Sequence, residues 1–154
     1  MCANQNVFAQ SLNANDAARL SAFLQMQSAS HMRYFHPFAF DEASVSKILV
    51  EARQDVYQGI YRNEELVGMM MLRGWDAGYE VPAVGVIAGE RYFIRNFMQI
   101  CLDAAKEICR ARGCSRIIYK SHPANAPAVR ADRFGFVQTG VDAHSGYFIY
   151  HLEL

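Results

Sequence analysis

The 154-residue chain has no surplus charge of either sign, because fifteen Lys and Arg balance fifteen Asp and Glu. Without a global field or a basic stripe, nucleic acid and anionic membrane are disfavoured as partners. Neutrality also removes one barrier to self-association, so a homodimer is compatible with the composition. Cysteine is scarce and scattered. Cys2, Cys101, Cys109 and Cys114 form no Cys-x-x-Cys pair and no His-x-x-x-His accompanies them, which argues against a metal centre. The opening MCANQNVFAQ lacks the basic and apolar stretches of a signal peptide. No apolar run approaches the roughly 20 residues of a membrane span. Repeats, low-complexity tracts and linkers are absent too, so a single domain over residues 1–154 in a reduced, cytoplasmic setting is the expectation.

What the chain does have is 52% hydrophobic residues, enough for a sizeable core, arranged with clear periodicities. Residues 7–10 read as a strand. After Asn15 as N-cap, Leu20, Phe23 and Leu24 fall at helical spacing. Pro37 then interrupts the aromatic-rich loop HMRYFHPFAF. Asp41 can cap a second helix, with Val45, Ile48, Leu49 and Ala52 on one face. Strands are predicted at 56–62 and 66–74 around Asn63-Glu64-Glu65, and a largely apolar one at 81–88. The strongest helix covers 96–112, with Phe97, Ile100, Cys101, Ala104 and Ile108 on one face and Gly113 at its C-terminal cap. A strand at 116–120, a short helix at 127–134 and a hairpin of 136–140 with 147–154 complete the order β-α-α-β-β-β-α-β-α-β-β. That order is α/β (α+β by some schemes), a mixed sheet with helices on its faces.

Three stretches carry more than secondary structure: YFHPFAFDEASVSKIL with MLRGWDAGYEVPAVGV, the helix ending ICRARGCSRIIY, and HPANAPAVRADRFGFVQTG. Together, over about residues 7–154, they resemble the GNAT superfamily of acyl-CoA-dependent N-acetyltransferases, and a small bacterial subgroup within it. The resemblance implies the GNAT fold, a mostly antiparallel central sheet of about six to seven strands with helices on both faces. It also implies that acyl-CoA, as acetyl-CoA or another thioester, lies where strands 81–88 and 116–120 splay apart. Backbone groups of Val86, Ile87 and Ala88 would hold pantetheine, and the thioester would be attacked directly by an amine. Glu80, thirteen residues before Phe93, falls where a branch of the superfamily carries its general base. Burial beside an apolar strand would raise its pKa toward the working pH.

The resemblance also locates two departures. The phosphate-binding Arg-Gly-Lys-Gly-Leu-Gly of typical members falls on Phe93, Ile94, Arg95, Asn96, Phe97 and Met98, so this loop is degenerate and every loop glycine is gone. Glycine there lets backbone N–H groups approach a pyrophosphate closely. Arg91 and Arg95 can supply charge-assisted contacts instead, and Asn96 can cap the helix. The tyrosine that many members use to protonate the leaving thiolate falls on Ala131; Tyr92, Tyr119, Tyr147 and His122 are the candidate replacements.

Trp75, Asp76 and Tyr79 occupy a loop facing the acceptor end, where they either bind an acceptor or close the end of the sheet. Tyr34 and His36 lie in the His/aromatic segment that also holds His31 and Arg33, and either contact the acceptor or pack. Asn125 either touches pantetheine or caps the following helix. Met69-Met70-Met71 reads as core filler. Two functions follow: transfer of an acetyl or related acyl group from acyl-CoA to a small-molecule amine, with an amino sugar suggested by the subgroup, or a non-catalytic module that has lost CoA and binds a ligand or partner.

Overall fold

The computed structural model describes residues 6–125 and 131–154. Seven strands form one sheet: β1 (Val7–Ser11), β2 (Val56–Arg62), β3 (Glu65–Arg73), β4 (Ala83–Ala88), β5 (Arg116–Ser121), β6 (Val137–Val141) and β7 (Phe148–Glu153). Their spatial order is β1-β2-β3-β4-β5-β7-β6. Every neighbouring pair is antiparallel except β4 and β5, which run parallel because α3 (Phe97–Ala111) connects them.

Helices cover both faces. The chain enters α1 (Ala17–Met26) through a short 3-10 turn, Ala14–Asp16. The cap is Asn13 rather than Asn15: the Asn13 side chain accepts from the Asn15 N–H, and Asp16 reaches back to the Asn13 N–H. Asp41 caps α2 (Glu42–Glu51) as its position predicts, accepting from the Ser44 N–H at 3.0 Å. Strand alternation divides the methionine triplet between the two faces. Met69 and Met71 pack with Leu20, Leu24, Val45 and Leu49 of α1 and α2, while Met70 and Leu72 pack with Leu102 and Ala105 of α3.

Three boundaries and the buried face of one helix differ from the sequence reading. Strand β4 starts at Ala83, since Pro82 has no N–H to give a ladder and Glu80 and Val81 form a bend before it. Strand β3 ends at Arg73, because Gly74 turns out at φ +124. On α3 the fully buried line is Cys101, Leu102, Ala105 and Cys109; Phe97, Ile100, Ala104 and Ile108 are only half-buried. Residues 131–134 form a 3-10 turn ended by Gly135, and the rest of the helix expected at 127–134 lies outside the described residues. The last strand, β7, inserts between β5 and β6 rather than extending the sheet in chain order. No helix among the described residues is long and apolar enough to cross a membrane.

Candidate active site

The site begins where the sheet fails to close. Strands β4 and β5 pair only through Ala83 and Ile118, with the Ile118 N–H donating to Pro82 O at 2.9 Å. Beyond that point β5 continues to pair with β7 on its other side, and β4 with β3. The register states which β4 groups face the resulting gap. The Gly89 N–H donates to Val67 O, so positions 89, 87, 85 and 83 spend their backbone groups on β3. Positions 84, 86 and 88 therefore face β5. Of the three residues expected to hold pantetheine, Val86 and Ala88 present backbone to the gap, whereas Ile87 does not.

Beside that edge lies a narrow, largely apolar cleft. Val84 and Val86 of β4, Met98 and Leu102 of α3, Tyr119 of β5, and Ala131, Phe134 and Phe136 from the following segment line it. Ala131 therefore stands in the wall of this cleft. So does Tyr119, whose hydroxyl is the one polar side-chain group among the described lining residues. That hydroxyl donates to Ser121 Oγ at 3.4 Å, and Asn125 Nδ2 donates to the same oxygen at 3.4 Å. Burial pushes the Tyr119 pKa up, so the phenol stays protonated at neutral pH. Asn125 thus belongs to the Tyr119–Ser121 network; its N–H donates to His122 O.

The other three replacements for the missing tyrosine are engaged elsewhere. Tyr92 donates its hydroxyl to Glu65 and lies under Arg62, while His122 and Tyr147 pack edge to face at 5.4 Å.

The segment from Phe93 to Met98 takes a definite shape without glycine. Asn96 sits at φ 60, ψ 29, the left-handed region, at a position where typical members carry glycine. Asparagine is among the residues that reach this region at low cost. Its side chain makes no capping bond, contrary to the capping role expected for it. The first-turn amides of Met98 and Gln99 meet no acceptor among the described residues. The Ile94 side chain is buried in the α3-side core. Phe97 lays its ring against Gly68 of β3, where a Cβ would come within 2.5 Å of it. Phe93 is 87% exposed, and Arg95 is exposed. Arg91 faces a separate hollow between α1 and the β2–β3 turn, with Arg19, Phe23, Glu64 and Tyr92.

The remaining expectations divide. Glu80 lies on the exposed bend three residues before β4, so the burial expected for it is not found. Asp76 is committed to structure. Its carboxylate accepts from the N–H groups of Arg53, Gln54 and Asp55 at 3.0, 2.8 and 3.3 Å, bonds that hold its pKa below the usual carboxylate range. Asp55 in turn accepts from the Gly74 and Asp76 N–H groups. Trp75 packs on the α3-side core under the Arg112 guanidinium, 4.3 Å from its ring centre. Both residues thus make structural contacts at the end of the sheet, with Trp75 half-buried and Asp76 exposed. Tyr79 is 69% exposed beside them. Tyr34 stacks on His122 at 4.4 Å, with Arg33 over the Tyr34 ring, and His36 lies exposed beside Phe40.

Two contacts at the site escaped sequence reasoning. His31 Nε2 donates to Ala88 O at 2.6 Å, and Glu90 accepts from the Ser28 N–H and hydroxyl. Only the histidine-rich composition of the 31–36 segment hinted at the first. Cys101 and Cys109 are buried, and burial pushes both thiols up to about 12, which removes them as nucleophiles.

A mixed seven-stranded sheet with one parallel, splayed pair and a helix starting just beyond it defines a GNAT-type acyltransferase architecture. The sequence profile of the Acetyltransferase (GNAT) family matches residues 20–136, and the chain belongs to that family. No curated protein matches the chain by sequence. Among solved structures, it is similar to the PaiA N-acetyltransferase from Thermoplasma acidophilum in complex with coenzyme A, at 12% identity and TM-score 0.78, covering 97% of this chain and 99% of that one. Ribosomal-protein-S5-alanine acetyltransferase from Vibrio fischeri is similar at 13% identity and TM-score 0.78, covering 98% and 94%. AAC(6')-Ib in complex with ribostamycin and coenzyme A follows at 14% identity and TM-score 0.74, covering 96% and 93%.

Proposed function

We propose that this chain transfers an acetyl or related acyl group from acyl-CoA to the amine of a small molecule. The observation that supports this most is the unpaired edge of β4, where Val86 and Ala88 face an apolar cleft between β4 and β5. An extended pantetheine arm fits such an edge as an added strand, because its amides match the spacing of backbone groups. The thioester carbonyl would then lie against the Val86 N–H, a fixed donor for the oxyanion that develops as the amine attacks. Phosphates would meet the open first turn of α3 at Met98 and Gln99, assisted by Arg95. The side chains of Ile94 and Phe97 face the core and contribute none of this.

Attack forms the C–N bond and breaks the C–S bond, so one proton must leave the amine and one must reach the thiolate. In this reading Tyr119 supplies the second, being the only hydroxyl in the cleft wall among the described residues and held in its protonated form by burial. Its proton is recovered through Ser121. Glu80 is the base assigned to the amine, and from its exposed bend it works through intervening water. A solved relative holds an aminoglycoside, which supports an amino sugar as acceptor class here.

Calorimetric titration with acetyl-CoA, followed by an acceptor screen over amino sugars and other primary amines, tests the reading. Micromolar binding with turnover of at least one amine is expected. Absence of binding at millimolar acetyl-CoA overturns it in favour of a non-catalytic binding module.

A further inference from the structure

Residues 27–34, between α1 and α2, touch both arms of the splayed pair. On the β4 side, His31 donates to the carbonyl of Ala88, the last residue of that strand. Two more ties fix the same side: the Glu90 N–H donates to Gln27 Oε1 at 2.8 Å, and the Glu90 carboxylate accepts from Ser28. On the β5 side, three residues further along, Tyr34 stacks on His122, the first residue after that strand. Tyr147, at the start of β7, packs against the same imidazole, and the Ala124 N–H donates to its Nδ1 at 3.0 Å. Met32, buried among the α1–α2 residues, anchors the segment between its two attachments. Since β4 and β5 share no ladder beyond Ala83 and Ile118, this segment ties together two strand ends that do not pair with each other.

We propose that residues 27–34 are a strap that fixes the width of the β4–β5 gap, making His31, Tyr34 and His122 positioning residues for the acyl donor. The proposal rests on the acyl-CoA reading above. It has a second consequence for that site: the Ala88 carbonyl already accepts from His31, which leaves the Val86 groups and the Ala88 N–H as the unengaged backbone for the donor. The Tyr34 ring is engaged by the His122 imidazole and by the Arg33 guanidinium, so in this proposal it acts as a clasp.

The test compares Tyr34→Ala, Tyr34→Phe and His122→Ala with the unaltered protein. In the absence of ligand, amide exchange at residues 86–90 and 119–123 should accelerate in both alanine variants and stay slow in Tyr34→Phe, which keeps the ring. The Michaelis constant for acetyl-CoA should rise about three- to tenfold in the alanine variants, the usual worth of an aromatic pair, with kcat within about twofold. Tyr34→Phe should restore it. Unchanged exchange overturns the strap. Accelerated exchange with an unchanged Michaelis constant overturns the positioning role. If the unaltered protein does not bind acetyl-CoA, the acyl-CoA reading fails and the positioning role with it, while exchange in the free protein still decides whether the strap exists.

Discussion

The two ends of the β4–β5 pair are built on opposite principles. At the closed end, polar groups answer one another: Asp76 accepts from three successive amides, Asp55 accepts from the turn that carries Asp76, and Arg112 covers Trp75. At the open end, backbone groups of Val86 face a cleft without a strand partner, and two first-turn amides of α3 meet no acceptor among the described residues. A residue type that suggests chemistry carries little meaning until its partners are known. Tryptophan and aspartate at the closed end make structural contacts, whereas an unremarkable Val-x-Ala at the open end leaves backbone groups facing a cleft.

That contrast can be sharpened by substitutions, beginning with turnover. Tyr119→Phe removes the hydroxyl from the cleft wall and should lower kcat about 10²–10⁴-fold, the range for a general acid or base. Glu80→Gln, at the closed end, should fall in the same range if water links it to the amine. An unchanged rate for Glu80→Gln with a collapsed rate for Tyr119→Phe would confine the chemistry to the open end. Both are read in a steady-state acetyl-transfer assay.

Smaller effects concern the loop after β4. Ile94→Ala empties a buried position and should cost about 2–5 kcal/mol in chemical denaturation. Replacing this residue by glycine to mimic a typical phosphate loop would therefore harm the core before it helped a ligand. Asn96→Val places a β-branched residue at φ 60 and should cost about 1–2 kcal/mol; Asn96→Gly should be close to neutral and tighten CoA binding severalfold.

The smallest effect is a pH dependence. Asp41, Asp76, Glu90 and Asp142 all sit below their usual range because backbone or side-chain donors hold their ionised forms. A depressed folded-state pKa gives stability that is present above the unfolded value, roughly pH 4, and lost as pH falls through the folded value. Thermal melts should be nearly flat from neutrality to about pH 5 and decline below pH 4. Asp76→Asn should reduce the acid sensitivity without altering CoA affinity, since the proposed donor site lies at the open end.

Much of the fold was legible because its signals are local. The Asp41 cap, the Gly113 terminus, the alternation that divides the methionines and the apolar β4 all follow from spacing within about ten residues. The insertion of β7 between β5 and β6 was not, since strand order within a sheet is set by long-range pairing. The site was legible in outline and not in detail. Whether Val86 or Ile87 faces the gap depends on one bond, Gly89 to Val67, between residues of different strands. The role of Asp76 depends on a loop more than twenty residues away, and that of His31 on the end of β4.

The account's central claim is that the unpaired edge of β4 holds the acyl donor, and residue-resolved amide exchange on adding CoA tests it most directly. Slowed exchange at Val86 and Ala88, with smaller protection at Met98 and Gln99, is the predicted result. CoA binding that leaves Val86 and Ala88 exchanging at their free-protein rates would contradict it.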